Sequence, residues 1–253
     1  MKSLNKALDV IEIVGELGSV GVREISTLTG FPPTTSHRIL STLARRGYLV
    51  QDEIAKSYSL ALRFLELGSK AQQQSDLHAI ARPHLHQLML KTGETANLVV
   101  RDGDSVVYLD QVQSDETMLK IFTKLGARAP LYSTGVGKMF LSRWSPSELD
   151  SYIQRTELIP YTQHTLTTQA ELRAEMERIS NQGYAVDNEE TELGVRCVAA
   201  LIVNHMEDVV AAVSISGVAM RITEDRIETF GEMVMQCAMN ISHELGYRSI
   251  SQN

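Results

Sequence analysis

Apolar positions in the first fifty residues recur at helical spacing in three successive segments. Leu4, Leu8, Ile11 and Leu17 mark a helix over about 3–17. Val22, Ile25 and Leu28 follow three apart and run into Gly30, a stop signal. "FPPTTSHRILSTLARRG" then predicts a third helix, opened by prolines and closed by Gly47. Proline suits the first turn because its missing N–H would have had no intrahelical partner there. "YLVQDEIAKSYSL" reads as two short strands around a polar tip. Three helices and a hairpin in this order form the winged helix-turn-helix pattern.

The stretch "ALRFLELGSKAQQQSDLHAIARPHLHQLMLKTG" is helical with a polar break near "QQQSD". It predicts a linker helix over 63–77 between a first domain, 1–62, and a second, 78–253. From about residue 94 the pattern turns to strands. "ANLVVRDGDSVVYLDQV" is a hairpin around Asp102-Gly103, and "TMLKIFTKLG" offers a further strand. "LYSTGVGKMFLS" passes from a polar, glycine-rich turn into a helix. Two helices with Ser/Thr caps and early acids follow, in "SPSELDSYI" and "TTQAELRAEMERISNQG". "YAV" predicts a strand, "GVRCVAALIVNHMEDVVAAVSISG" two strands around a polar turn, and "TEDRIETFGEMVMQCAMNISHELG" a long amphipathic helix. The expected class is α+β, the second domain being mixed α/β with a mainly antiparallel sheet.

Composition changes little of this picture, and charge changes one part of it. Hydrophobic residues make up 43% and charged residues 22%, an ordinary balance for a globular chain. No apolar run reaches membrane-spanning length, so no membrane partner is expected. Cys197 and Cys237 lack CxxC spacing, and a reduced, cytoplasmic setting fits them. His84 and His86 stand two apart, a spacing that does not share a helix face; with His78 they are expected to be solvated or capping, and neither metal nor cofactor is expected. The net charge of -7 argues against general affinity for nucleic acid. Yet no acid occurs between Glu24 and Asp52, whereas Arg38, Arg45 and Arg46 all do.

At 100° per residue, Ile39, Leu40, Leu43 and Gly47 face one side of the third helix, and Thr34, Arg38, Ser41 and Arg45 face the other. Arginine can bond guanine O6/N7 bidentately and hydroxyls can reach phosphates, so this stripe suits the major groove of double-stranded DNA. Thr35 and Ser36, at the start of the helix, join it as candidate contacts, with Lys56 and Tyr58 of the hairpin as candidate phosphate contacts.

Several ordered motifs resemble the IclR family of bacterial transcriptional regulators across nearly the whole chain. They are "SLNKALDVIEIV", "STLARRGYLV", "KSYSLALRFLELG", "APLYSTGVGKMFLS", "GYAVDNEETELGVRCVAA" and "VVAAVSISG". The resemblance implies a GAF-like effector-binding domain, a homodimer or dimer of dimers, and a palindromic operator. It places an effector between the "STGVGK" turn and the later strands. Gly135 and Val136 would offer backbone N–H groups to an anion at a helix start. Asp187 would hold a hydroxyl or water of the ligand, with Cys197, Ser214 and Ser216 as further polar contacts. Met118 and Ile121 would supply apolar walls, and Val195 joins them as a candidate. The implied function is a ligand-responsive regulator, a repressor of a catabolic operon, modulated by a small organic acid.

The competing reading is an enzyme using Cys197 on a small carboxylate. A thiol nucleophile needs a base and an oxyanion hole. No histidine sits in a motif near Cys197, and strand alternation turns Arg196 to the opposite face. The acids between Asp187 and Cys197 are expected to form a solvated loop or lid.

Overall fold

The computed structural model describes residues 2–73, 76–113 and 124–248. The chain divides into two compact units, Met1–Gln74 and Ser75–Asn253.

In the first unit, helix α1 (Lys2–Leu17) precedes strand β1 (Val20–Gly21), helices α2 (Val22–Thr29) and α3 (Pro33–Arg45), strands β2 (Leu49–Asp52) and β3 (Ser57–Leu60), and helix α4 (Arg63–Gln73). Gly30 ends α2 with φ 69, a left-handed cap that other residues adopt only with strain. The three strands form a small antiparallel sheet in the order β1-β3-β2. β1 pairs Val20 with Tyr58 and Gly21 with Ser57; two residues are too few to show an alternation in sequence. Val10, Val14, Val20, Ile25, Leu40, Leu49 and Tyr58 form the core.

Two expectations fail here. Ser36 is fully buried, and its hydroxyl donates to the Pro32 carbonyl at 3.4 Å. Its position one turn before Leu40 places it on the inward face of α3, so it is withdrawn from DNA. Tyr58 is 2% exposed and packs in the core, because antiparallel pairing with β1 and β2 fixes which side of β3 faces the helices. It is a core residue rather than a phosphate contact.

The second unit begins with helix α5 (Asp76–Thr92) and the hairpin β4 (Thr95–Asp102) and β5 (Ser105–Val112). After β6 (Arg128–Pro130) come helices α6 (Gly135–Leu141), α7 (Pro146–Arg155) and α8 (Gln169–Gln182), strands β7 (Ala185–Asn188), β8 (Val195–Val203) and β9 (Val209–Val218), and helix α9 (Glu224–Glu244). Ser145 and Thr168 close capping boxes with Glu148 and Glu171 at the starts of α7 and α8. Met118, Ile121 and most of the strand expected in "TMLKIFTKLG" lie outside the described residues.

Six strands form one sheet in the order β6-β5-β4-β9-β8-β7, every neighbouring pair antiparallel. Side chains alternate between two cores. Ala96, Leu98, Val198, Ala200, Val213 and Ile215 pack with α5 and α9 on one face. Val99, Val106, Ala185, Ala199 and Ala212 pack with α6, α7 and α8 on the other. His78 and His84 are not simply solvated or capping. His78 Nε2 lies 3.0 Å from Asp110 Oδ2, beside Arg82, and His84 Nε2 lies 2.8 Å from Glu244.

Candidate functional site

In the first unit, α3 presents Thr34, Arg38 and Arg45 exposed, with Thr35 and Ser41 half-buried. The Ser41 hydroxyl donates to the Arg38 carbonyl at 3.2 Å. Among the described residues Arg38, Arg45 and Arg46 make no ion pair. Arg38 in mid-helix and Arg45 and Arg46 at its C-terminal end, with no carboxylate on the helix, make this face of α3 basic. Lys56 is exposed at the hairpin tip, 3.3 Å from Glu53. Asp52 shapes that tip, its Oδ1 accepting the Ile54 and Ala55 amides at 2.8 and 2.9 Å. Those two bonds hold its carboxyl below the usual range.

In the second unit, the face of the sheet towards α6 changes character along its strands. At one end it is apolar, with Val99, Ala199 and Ala212. Two residues further along each strand it becomes polar, with Asn97, Cys197 and Ser214, and then Thr95 and Ser216. Register brings these together: Asn97 lies opposite Ser214, Cys197 opposite Ser216, and Asp187 opposite Cys197. Asn97 is fully buried, and Ser214, Ser216 and Asp187 are 2%, 3% and 4% exposed. The Asn97 amide donates to Ser214 at 3.2 Å and Ser216 at 3.0 Å, while its oxygen accepts from Gln111 at 3.0 Å. Cys197 Sγ donates to Ser216 at 3.1 Å. Val195, at the start of β8, is half-buried.

Asn97 is the hub of this row and was missed in sequence, although a lone amide in "ANLVV" on a buried parity was a usable signal. Asn97→Ala should leave two serines and Gln111 without their partner. Loss of such buried bonds costs about 1–3 kcal/mol, to be checked by urea unfolding. An unchanged midpoint would mean that water replaces the amide.

The start of α6 closes against this row. Thr134 caps the helix, its hydroxyl oxygen accepting the Gly137 amide at 3.1 Å. The Gly135 and Val136 amides have no partner among the described residues. A Cβ on Gly135 would lie 3.2 Å from the Asp187 amide nitrogen, so any side chain here would press β7 back by a few tenths of an ångström. The nearby Ser133 hydroxyl is buried without a partner.

The segment after Asp187, expected as a solvated loop or lid, is exposed at Asn188 and over 191–194 but not at Glu190. Glu190 is 4% exposed. Its carbonyl accepts the Thr165 hydroxyl at 2.6 Å, and the Glu189 carbonyl accepts Thr162 at 2.6 Å. The Glu190 amide and the Thr191 hydroxyl donate to the two Asp187 oxygens at 2.8 and 3.1 Å. Glu190 Oε1 accepts Lys138 Nζ, which also donates to Glu175 at 3.0 Å. Lys138 is 1% exposed within the wholly buried helix α6. Hydropathy spacing hid this ion pair because its partners stand far apart in sequence. Glu189 and Arg196, both half-buried, pair at 3.4 Å.

Burial dominates the electrostatics. It pushes the Asp187 carboxyl up against the opposing charge of Lys138. It pushes Glu190 up to about 7, Lys138 opposing the shift and Asp187 adding to it. The Cys197 thiol is pushed up by burial and then by Asp187, so it stays protonated. Tyr108, whose phenol shares this space, is likewise held neutral, first by burial and then by Cys197 and Asp187. A protonated thiol bonded to a serine suits ligand contact rather than nucleophilic attack. Among the described residues, no helix is long and apolar enough to cross a membrane.

Comparison with known proteins assigns this architecture. Residues 3–53 match the IclR helix-turn-helix domain, and residues 69–243 match the bacterial transcriptional regulator IclR C-terminal domain. The acetate operon repressor of Salmonella typhimurium is 34% identical over 249 residues, covering 97% of this chain and 90% of that protein. The regulator KipR of Bacillus subtilis is 33% identical over 246 residues, covering 97% and 98%. The crystal structure of the Thermotoga maritima IclR superposes with a TM-score of 0.78 at 35% identity, covering 98% of this chain and all of that one. These proteins are regulators, and the half-buried Cys197, bonded to Ser216, gives no support to the enzyme reading. With both domains matched in order and the fold shared along nearly its whole length, the chain belongs to the IclR family of bacterial transcriptional regulators.

Proposed function

We propose that the chain is a repressor whose grip on a palindromic operator is set by a small organic acid bound at the polar end of β4, β8 and β9. The observation that carries this reading is the row of buried Asn97, Ser214, Ser216 and Asp187 with half-buried Cys197, beside two amides, those of Gly135 and Val136, without partners among the described residues. The row is hydrogen-bonded within itself, which makes its burial tolerable; the two amides beside it have no such partner, and that combination suits recognition. The amides suit a carboxylate, while the row of hydroxyls and Asp187 suits hydroxyl groups on the ligand body. Met118, Ile121 and Val195 complete the set as apolar contacts. That one relative is a repressor of the acetate operon is in keeping with a carboxylate signal.

On DNA, two protomers would set their α3 helices in successive major grooves. Thr34, Thr35, Arg38, Ser41 and Arg45 are the contacts this reading keeps there, with Lys56 reaching phosphate. The 63–77 segment acts as the linker between an N-terminal domain, 1–62, and the effector-binding and oligomerisation domain, 78–253. Ligand acts by differential affinity for two geometries of a homodimer or dimer of dimers.

A thermal-shift screen of small carboxylates should yield a stabilising ligand. Saturation at a hundredfold over Kd adds about 2.7 kcal/mol, a shift of several degrees. The same compound should release the protein from its own upstream DNA in a gel shift. Stabilisation by neutral or cationic compounds alone would refute the acid. Tighter DNA binding with ligand would reverse the sign of control.

A further inference from the structure

The groups around Glu190 carry an imbalance of charge. From α6 comes Lys138, bonded to both Glu190 and Glu175. From α8 come Glu175 and Arg178, themselves paired at 2.8 Å. From β7 comes Asp187, linked to the Glu190 amide at 2.8 Å. Cys197 of β8 and Tyr108 of β5 remain neutral. From the 159–168 loop, the Thr162 and Thr165 hydroxyls donate to backbone carbonyls and accept backbone amides, and His164 is exposed. Three carboxylates thus face two cations. Burial alone would raise Glu175, but Arg178 and Lys138 outweigh it and hold its carboxyl below the usual range. The excess negative charge therefore falls on Asp187 and Glu190. Asp187 has donors on both oxygens, whereas Glu190 Oε2 is buried with no partner. An ionised oxygen that is buried without a donor is expensive, and protonation is the cheapest relief.

The Gly135–Val136 turn lies against the Asp187 backbone and belongs to the same helix as Lys138. A second negative charge placed there would repel the pair and raise its affinity for a proton. We infer that binding of a carboxylate at the Gly135–Val136 turn is coupled to proton uptake by the buried Asp187–Glu190 pair, with Glu190 as the main carrier. The inference rests on the ligand reading above. It means that such a regulator answers to acid concentration and to pH together, binding its ligand more tightly as pH falls through neutrality. The two carboxyls titrate as one coupled unit.

The full-length wild type, Glu190→Gln and Glu190→Asp serve as tests, with 2-oxobutyrate and gluconate as probes. Calorimetry in phosphate and in Tris reads the protons exchanged from the dependence of heat on buffer ionisation. At pH 7.5 the wild type should take up about half a proton per ligand. E190Q balances the charge count and should take up none, whereas E190D should retain uptake. Without ligand, a carboxyl that binds its proton more tightly when folded stabilises the chain at low pH. That contribution is lost as pH rises from about 5 through 7, so the wild-type midpoint should fall over this range and the E190Q profile should be flatter. Carboxylate binding with no buffer dependence would overturn the coupling and leave the ligand reading standing. If neither probe binds while the two pH profiles still differ, the ligand reading fails and the coupling falls with it. Parallel profiles overturn the proposal by themselves, and should E190Q fail to fold, the wild-type buffer dependence decides.

Discussion

Arg38→Ala is expected to remove specific operator binding while leaving the fold intact. The side chain is exposed and unpaired on α3, so truncation breaks no internal contact. A bidentate arginine–guanine pair contributes about 1–3 kcal/mol of discrimination, and a dimer on a palindrome loses it twice. The expected loss is therefore roughly thirtyfold or more in affinity for the operator, with a smaller loss on unrelated DNA. Fluorescence anisotropy at fixed salt would measure both, and a thermal melt would verify that stability is unchanged. Equal losses on operator and random DNA would demote Arg38 to a phosphate contact. Unchanged binding to both would take α3 out of the groove.

Gly137→Ala should be the most damaging single methyl in the second unit. Its Cβ would sit closer than 3.0 Å to the Leu131 carbonyl oxygen and Cα and to Thr134 Oγ1. Two of those atoms are backbone, which cannot rotate away, and the third is the cap of α6. Either the "LYST" turn shifts or the capping bond to the Gly137 amide breaks. Forced overpacking typically costs about 1–3 kcal/mol, and loss of a cap about 1 more. For a domain of this size that lowers the melting midpoint by on the order of 10 °C. Because the Gly135 and Val136 amides ride on the same turn, ligand binding should fail even where the domain remains folded. A midpoint within a degree of wild type would show that the turn yields freely.

Lys138 explains why these two features are linked. It sits in a seven-residue helix with no exposed face, and its charge is tolerated only because Glu175 and Glu190 meet it from two other segments. The helix start that would hold an anion is thereby anchored to the segment that follows Asp187. Removal of either carboxylate partner leaves a buried ammonium short of compensation.

Much of the fold was legible because its signals are local. The helical spacing of Leu4, Leu8 and Ile11, the αL stop at Gly30, the Asp102-Gly103 hairpin and the Ser145 and Thr168 caps each act within a few residues. The polar, arginine-bearing face of α3 was legible for the same reason, since a helix fixes its own faces. That phase also placed Ser36 inward, and counting from Leu40 was enough to see it. Asp187, Cys197, Ser214 and Ser216 entered through a family resemblance carried by ordered motifs, while the strand alternation of "SIS" supported only the last two.

What sequence by itself determined is therefore most of the elements and their faces, the two-part organisation and the family; the short strands β1 and β6 were not legible in it. Tertiary structure alone decided which polar groups share a site. Tyr58 became a core residue through pairing with Val20 across thirty-eight positions. Asn97 met Ser214 and Ser216 only when β4 paired with β9, and Glu190 met Lys138 only when β7 folded beside α6. Secondary structure follows from interactions between near neighbours, so it is written in local pattern. A buried hydrogen-bond network depends on strand register and chain crossing between distant segments, and no local pattern carries that information.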